Sequence, residues 1–240
     1  MRDLIRRTAV AAGATALVLG ASAGAAAASA AAPTSHLYWA NAGAGTIVEA
    51  NLNGTSAHVI ASGQNTPHGV AVDASHLYWA NAGAGTIVEA NLNGTSAHVI
   101  ASSQARPFGV AVDASHLYWA NEAAGTIVEA GLDGTGAHVI ASGLFPSGVA
   151  VDASHLYWGN QGTVTIPGTI VEANLDGTGA KTIASGKGSK FGVAGDASHL
   201  YWADHITSPV GTISEANLDG TGAKVIASRQ NGPIGVAVGP

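Results

Sequence analysis

Twenty-eight consecutive residues, SHLYWANAGAGTIVEANLNGTSAHVIAS, run from Ser35 to Ser62 and return unchanged from Ser75 to Ser102. Three further copies, more heavily substituted, surround Trp119, Trp158 and Trp202. The five tryptophans Trp39, Trp79, Trp119, Trp158 and Trp202 therefore stand 40, 40, 39 and 44 residues apart. Units of this length point to an array in which each copy buries its apolar face against its neighbours, as in propellers and helical solenoids.

Local pattern decides between the two. Each unit holds four short strand-like runs, HGVAV, HLYWAN, GTIVEANL and AHVIAS in the second unit, and none carries a sustained 3.6-residue period. Asn93-Gly94, and later Asp133-Gly134, Asp176-Gly177 and Asp219-Gly220, separate the third run from the fourth. Such pairs tolerate the positive backbone angles of a type I′ hairpin turn, which predicts antiparallel pairing there. Four antiparallel strands make a propeller blade. The units are 35–74, 75–114, 115–153, 154–197 and 198–240. The first opens at a second strand, His36-Leu37-Tyr38-Trp39, whereas the last ends in Gly235-Val236-Ala237-Val238, a match to the first strand of the other units. The fold expected is all-β: a five-bladed β-propeller of four-stranded antiparallel blades, closed by the C-terminal strand pairing with Leu37–Trp39 to complete the first blade. Closure of this kind removes the open sheet edge. Small GVAV strands suit a crowded axis, and the Tyr-Trp pairs suit the wedges between blades.

Residues 1–30 read differently. Arg2, Arg6 and Arg7 precede an apolar, alanine-rich stretch that ends in small residues, with Ala28-Ser29-Ala30 as an A-x-A cleavage pattern. This is the layout of a secretory signal peptide. Residues 31–240 then form a single propeller domain, expected in the extracellular space or cell envelope. No later segment approaches the roughly 20 apolar residues of a membrane span. Without the leader's three arginines and Asp3, 6 basic residues face 14 acidic ones, a net of −8. An acidic chain repels phosphate backbones, so nucleic acid is not an expected partner. The absence of cysteine excludes disulfides, thiolate metal sites and thiol nucleophiles.

LYWAN, GTIVEANLDGT and GVAVDAS together resemble the YWTD repeat of the low-density lipoprotein receptor family, in the plainer form of its bacterial members. The resemblance covers 35–240 and implies a propeller in a bacterial exported protein. The tetrad stands here as Tyr38-Trp39-Ala40-Asn41, with Tyr157-Trp158-Gly159-Asn160 and Tyr201-Trp202-Ala203-Asp204 as variants. Only Asp204 keeps the family's acid, and the threonine is missing throughout. The family closes with six blades; the count here is five.

Three repeated constellations have structural explanations. His36, His76, His116, His155 and His199 recur once per unit and lie too far apart to converge on a metal at about 2 Å. Asp73-Ala74-Ser75-His76 contains the residue types of a catalytic triad, but within one tight turn rather than on converging segments. Asp73, Asp113, Asp152 and Asp196 end the first strands and are expected as turn residues on one rim, with Gly239 breaking the ring. Neither a metal nor a cofactor is expected.

The informative variation lies between copies. QNTPHG, QARPFG, LFPSG, KGSKFG and RQNGPIG precede the first strands; NAGAG, NEAAG, NQGTVTIPG and DHITSPVG join the second strands to the third. In an up-and-down blade these variable connections share a face, and propeller function sits on such loops. That face carries the candidate ligand-binding residues His68, Arg106, Phe108, Phe145, Lys187, Lys190, Phe191 and Arg229, with cations placed beside apolar rings. The function expected is a non-catalytic binding module for a protein, peptide or glycan, with an anionic partner favoured by these cations. The alternative is a secreted propeller hydrolase or lyase acting in the central funnel, for which Glu122, His68 and His205 are the titratable groups that do not repeat.

Overall fold

The computed structural model describes Ala14–Thr15, Leu17–Leu19, 36–163, 165–207 and 210–236. Most of the leader and its cleavage motif, like Gly239, lie outside the described residues.

Alternating side chains dictate how the blades stack. In His116–Asn121, Leu117 and Trp119 point to one face and Tyr118 and Ala120 to the other, as the two-residue period of a strand requires. Leu117, Trp119, Val110 and Val128 pack against Tyr78, Ala80 and Ile87 of the preceding blade. Tyr118, Ala120 and Ile127 meet Leu156, Trp158 and Val171 of the next. The same wedge forms between the first and second blades and between the fourth and fifth. Trp79, Trp119 and Trp158 are fully buried there.

The result is a five-bladed propeller of four-stranded antiparallel blades. The second blade orders Pro67–Val72, His76–Asn81, Thr86–Asn91 and His98–Ala101 from the axis outward. The third orders Pro107–Val112, His116–Asn121, Thr126–Gly131 and His138–Ser142. The fourth and fifth begin with Pro146–Val151 and Ser189–Gly195 and repeat the order. The first blade holds His36–Asn41, Thr46–Asn51 and His58–Ala61.

The inner strands of the second to fifth blades have a bulge near their start, as between Pro107 and Val110 and between Lys190 and Val193. Glycine is required at this bulge, because a Cβ on Gly109 would lie 2.8 Å from Val149 N and 2.9 Å from Gly148 Cα. Gly69, Gly109, Gly148, Gly192 and Gly235 thus line a constriction at the axis. The Gly192 amide donates to Ile234 O at 2.9 Å, which brings the C-terminal segment to this ring. Of the expected ladder between Val236–Val238 and Leu37–Trp39, only Val236 is described on the C-terminal side. Beside His36–Asn41 the described inner partner is Ala14–Thr15, opposite Asn41 and Ala40, and Leu17–Leu19 runs parallel to Val70–Val72.

The hairpin turns differ from the expected type I′. Gly94 has φ +78 but Asn93 is not left-handed; Gly94 N donates to Asn91 O at 2.8 Å, and Asn91 N to Thr95 O. This is a three-residue loop in which a type I turn is followed by a left-handed glycine. Asn93 Oδ1 accepts from Thr95 N and Oγ1, so the side chain organises the turn without leaving the right-handed region.

The repeated aspartates are turn organisers. Asp113 Oδ1 accepts from Ser115 N and His116 N at 2.7 Å each, and Oδ2 accepts from the Tyr118 hydroxyl at 3.0 Å. Asp73, Asp152 and Asp196 repeat these bonds. In the first blade the Tyr38 hydroxyl instead donates to Glu49 at 3.4 Å, and burial followed by that carboxylate pushes the phenol up to about 12.

Candidate binding face

The variable connections do share one face and are bonded to each other. Gln104 N donates to Gly85 O, while Glu122 N and Ala123 N donate to Arg106 O and Ala105 O. Beneath them Gln64 Oε1 accepts from Trp79 Nε1 at 2.8 Å and Asn81 Nδ2 at 2.9 Å, and Gln104 does the same for Trp119 and Asn121. The fourth blade's loop is one residue shorter and has no such glutamine. Trp158 Nε1 is left buried there without a partner.

The eight candidate residues separate into three groups. His68, Phe108 and Phe191 directly precede the axial glycines and gather at the mouth of the channel. His68 stacks on Phe108 at 4.2 Å and 20°, Phe108 meets Phe191 at 6.1 Å, and Phe191 meets His205 at 5.9 Å. Burial, and secondarily the Arg106 charge, pushes the His68 imidazole down to about 4, and its Nδ1 has no partner. Ser147, at the same position in the fourth blade, turns inward and donates to Lys190 O at 2.6 Å. Its small size leaves Phe108 and Phe191 free to meet.

Lys190 departs from the expectation of a surface cation. It is 4% exposed, and its ammonium pairs with Asp204 at 2.5 Å. Lys190 occupies the place of Pro67, Pro107 and Pro146, and Asp204 that of Asn81, Asn121 and Asn160, so one blade exchanges two neutral residues for a matched ion pair. Asp204 also accepts from Trp202 Nε1, Thr212 Oγ1 and Ser214 Oγ. Lys187 and Arg229 remain exposed, so the positive potential of this face is weaker than the sequence suggests.

Arg106 and Phe145 belong to a third place, a groove of about 390 Å³ between the third and fourth blades. Glu122, Gln161, Ala123, Gly162 and Thr163 complete it. Glu122 is 6% exposed, and its Oε1 accepts from Gln161 Nε2 of the next blade at 2.7 Å. Arg106 Nε lies 3.1 Å from Glu122 Oε2, yet this oxygen is without an aligned hydrogen bond. The Arg106 side chain is 59% exposed and Phe145 is 50% exposed. Sequence reasoning singled out Glu122 but missed Gln161 and their contact. The available signal was alignment at the residue after each tetrad: Ala42, Ala82, Glu122, Gln161 and His205.

On the opposite face the SHLYW histidines each sit beside the glutamate of their own blade, as His76 Nε2 does at 3.5 Å from Glu89. Among the described residues, no group of three or more His, Asp and Glu side chains is arranged to hold a metal ion.

No protein-family model matches the sequence, and no curated protein aligns with it. Solved structures do match its fold. A chain in the crystal structure of a nidogen/laminin complex superposes with a TM-score of 0.73 at 24% identity, covering 81% of this chain and 79% of that one. A TolB-like protein of Agrobacterium tumefaciens gives 0.67 at 12% identity, covering 83% and 79%. A gluconolactonase of Xanthomonas campestris gives 0.66 at 17% identity, covering 84% and 75%. These likenesses span binding and catalytic proteins and establish the architecture alone: the chain is a five-bladed β-propeller of four-stranded antiparallel blades.

Proposed function

We propose that this chain is an exported, non-catalytic module that holds a protein, peptide or glycan on its variable-loop face. One observation carries the reading. The copies are nearly identical wherever they build a blade, so, except where it is buried with a matching change beside it as Lys190 and Asp204 are, a side chain present in a single copy is not needed for folding. Glu122, Gln161, Arg106 and Phe145 are of this kind, and they converge on one groove. Exposed single-copy residues gathered at one place on a repeat scaffold are candidates for serving a partner, since function is carried by sites placed on the fold. Export rests on the basic and apolar leader with its A-x-A motif.

A second reading, a secreted hydrolase or lyase, draws support from the fold likeness to a gluconolactonase. Its titratable groups would be His68 and His205 at the channel mouth, held apart there by Phe108 and Phe191. An activity screen on culture supernatant separates the two readings.

Capture with the immobilised protein tests the first. Replacing Arg106 and Phe145 together by alanine should weaken partner retention at least tenfold, since aromatic and arginine contacts concentrate interface energy. Replacing Asp73, Asp113 and Asp152 by asparagine keeps the turn acceptor and should leave retention unchanged. Equal loss from both sets refutes a single working face.

A further inference from the structure

We propose that the groove between the third and fourth blades is a carbohydrate subsite, in which Glu122, Gln161 and Arg106 bind the hydroxyls of a neutral sugar ring and Phe145 carries its C–H face. The inference rests on the variable-loop face being the binding face, and it specifies the ligand class.

Two sets of equivalent positions single out this groove. After the tetrads stand Ala42, Ala82, Glu122, Gln161 and His205; before the inner-strand prolines stand Thr66, Arg106, Phe145 and Gly232. Large side chains at both positions occur only in the third and fourth blades, which are neighbours. The backbone at this position is left-handed in all four of these copies, φ +54 at Thr66, +57 at Arg106, +49 at Phe145 and +58 at Gly232, so the angle belongs to the loop and only the large side chains are particular to the third and fourth blades. Phe145 is half in water, although a polar residue would be more soluble at such a site. A ring this exposed, where other copies carry threonine or glycine, marks a side chain kept for contact with something else.

Glu122 is the second, independent observation. Its carboxylate is more than nine-tenths buried, and its Oε2 is paired in charge with Arg106 Nε at 3.1 Å but has no aligned hydrogen bond, which leaves a buried acceptor short of a donor. The Arg106 side chain that lies over this oxygen is 59% exposed, so the groove is open to solvent beside it. A ligand donor entering the groove satisfies it.

The surrounding groups define that donor. Glu122 and Arg106 cancel in charge, so the groove favours neither an anion nor a cation. A phosphate or carboxylate would face the buried Glu122 charge, and an ammonium would face Arg106. What remains is a neutral molecule carrying donors and acceptors side by side. A sugar hydroxyl donates to Glu122 Oε2 or Gln161 Oε1 and accepts from the Arg106 guanidinium. The ring's C–H face covers Phe145, whose apolar surface is then removed from water. The volume of about 390 Å³ falls within the range of small-molecule sites, about 300–1,000 Å³.

Saturation-transfer NMR on the intact protein tests this with methyl glycosides of glucose, galactose, mannose and N-acetylglucosamine as probes, beside inorganic phosphate and N-acetyl-lysine amide. At least one glycoside should receive saturation at the C–H protons of one ring face. Phe145→Ala and Glu122→Gln should each weaken its binding at least tenfold with unchanged melting, while Val139→Ser on an outer strand should leave it unchanged. Absence of transfer to all four glycosides overturns the proposal, as does a glycoside whose binding is indifferent to both variants. Binding of phosphate or N-acetyl-lysine amide that is lost on Glu122→Gln, without glycoside binding, overturns it too. If the glycosides fail while a captured partner is still lost with Arg106→Ala/Phe145→Ala, the binding face stands and the sugar assignment falls. If the variants retain that partner as well, both fall.

Discussion

Removing the charge of Asp204 by Asp204→Asn leaves the Lys190 ammonium buried without a counter-charge, with only neutral acceptors beside it, the new amide oxygen and the Lys187 carbonyl at 3.3 Å. Breaking a buried ion pair from one side costs about 3–5 kcal/mol. In a domain of this size that corresponds to a fall of about 6–20 °C in Tm. The converse change is milder. Lys190→Met leaves Asp204 with three donors, Ser214 Oγ at 2.6 Å, Thr212 Oγ1 at 3.1 Å and Trp202 Nε1 at 3.2 Å, and should cost about 1–2 kcal/mol. The double variant restores neutrality, as Pro and Asn do at this place in the other blades. It should therefore be more stable than Asp204→Asn alone, with a coupling energy of at least about 2 kcal/mol. Urea unfolding of the four proteins, fitted as two-state transitions, measures the cycle. Additive single costs, or a Lys190→Met penalty as large as that of Asp204→Asn, refute the account of the pair as a matched substitution.

Three further outcomes follow from the geometry. His68, whose imidazole is pushed down from 6.5 to about 4, folds neutral; its contribution is complete above about pH 6.5 and is lost as pH falls toward 4, so His68→Phe should flatten the acid limb of a stability-versus-pH curve by about 1–3 kcal/mol. Asp113→Ala removes two backbone bonds and the Tyr118 contact and should cost about 2–3 kcal/mol in urea unfolding, whereas Asp113→Asn should recover most of it; equal losses would show that charge rather than turn geometry matters. Deleting residues 233–240 removes the Gly192–Ile234 bond and the fifth axial glycine, and a deleted protein that melts like the parent would contradict closure at the axis.

Blade number, strand order and the sharing of one face by the variable connections were legible because each follows from periodicity and turn chemistry within about forty residues. The tyrosine-tryptophan wedges were legible for the same reason, since adjacent residues on a strand must face opposite neighbours. The turn type was not, because Asn-Gly suits both a type I′ turn and a type I turn closed by a left-handed glycine. Lys190 read as a loop cation only because its partner, Asp204, lies on the next strand; in blade register the two are directly opposed. Glu122 and Gln161 are 39 residues apart, and their contact depends on how one blade rests against the next. Single-chain spacing does not encode that contact, although alignment of the copies displays both residues as departures from alanine.

The axial glycines have one more consequence. Among the described residues, their close approach leaves a void of about 20 Å³, the room of about one water molecule. The described residues thus leave no passage at this waist for a solute larger than water to cross the disc. Whatever docks on either side must arrive and depart by the side it entered, and the two surfaces can diverge in sequence as if they belonged to separate proteins placed back to back.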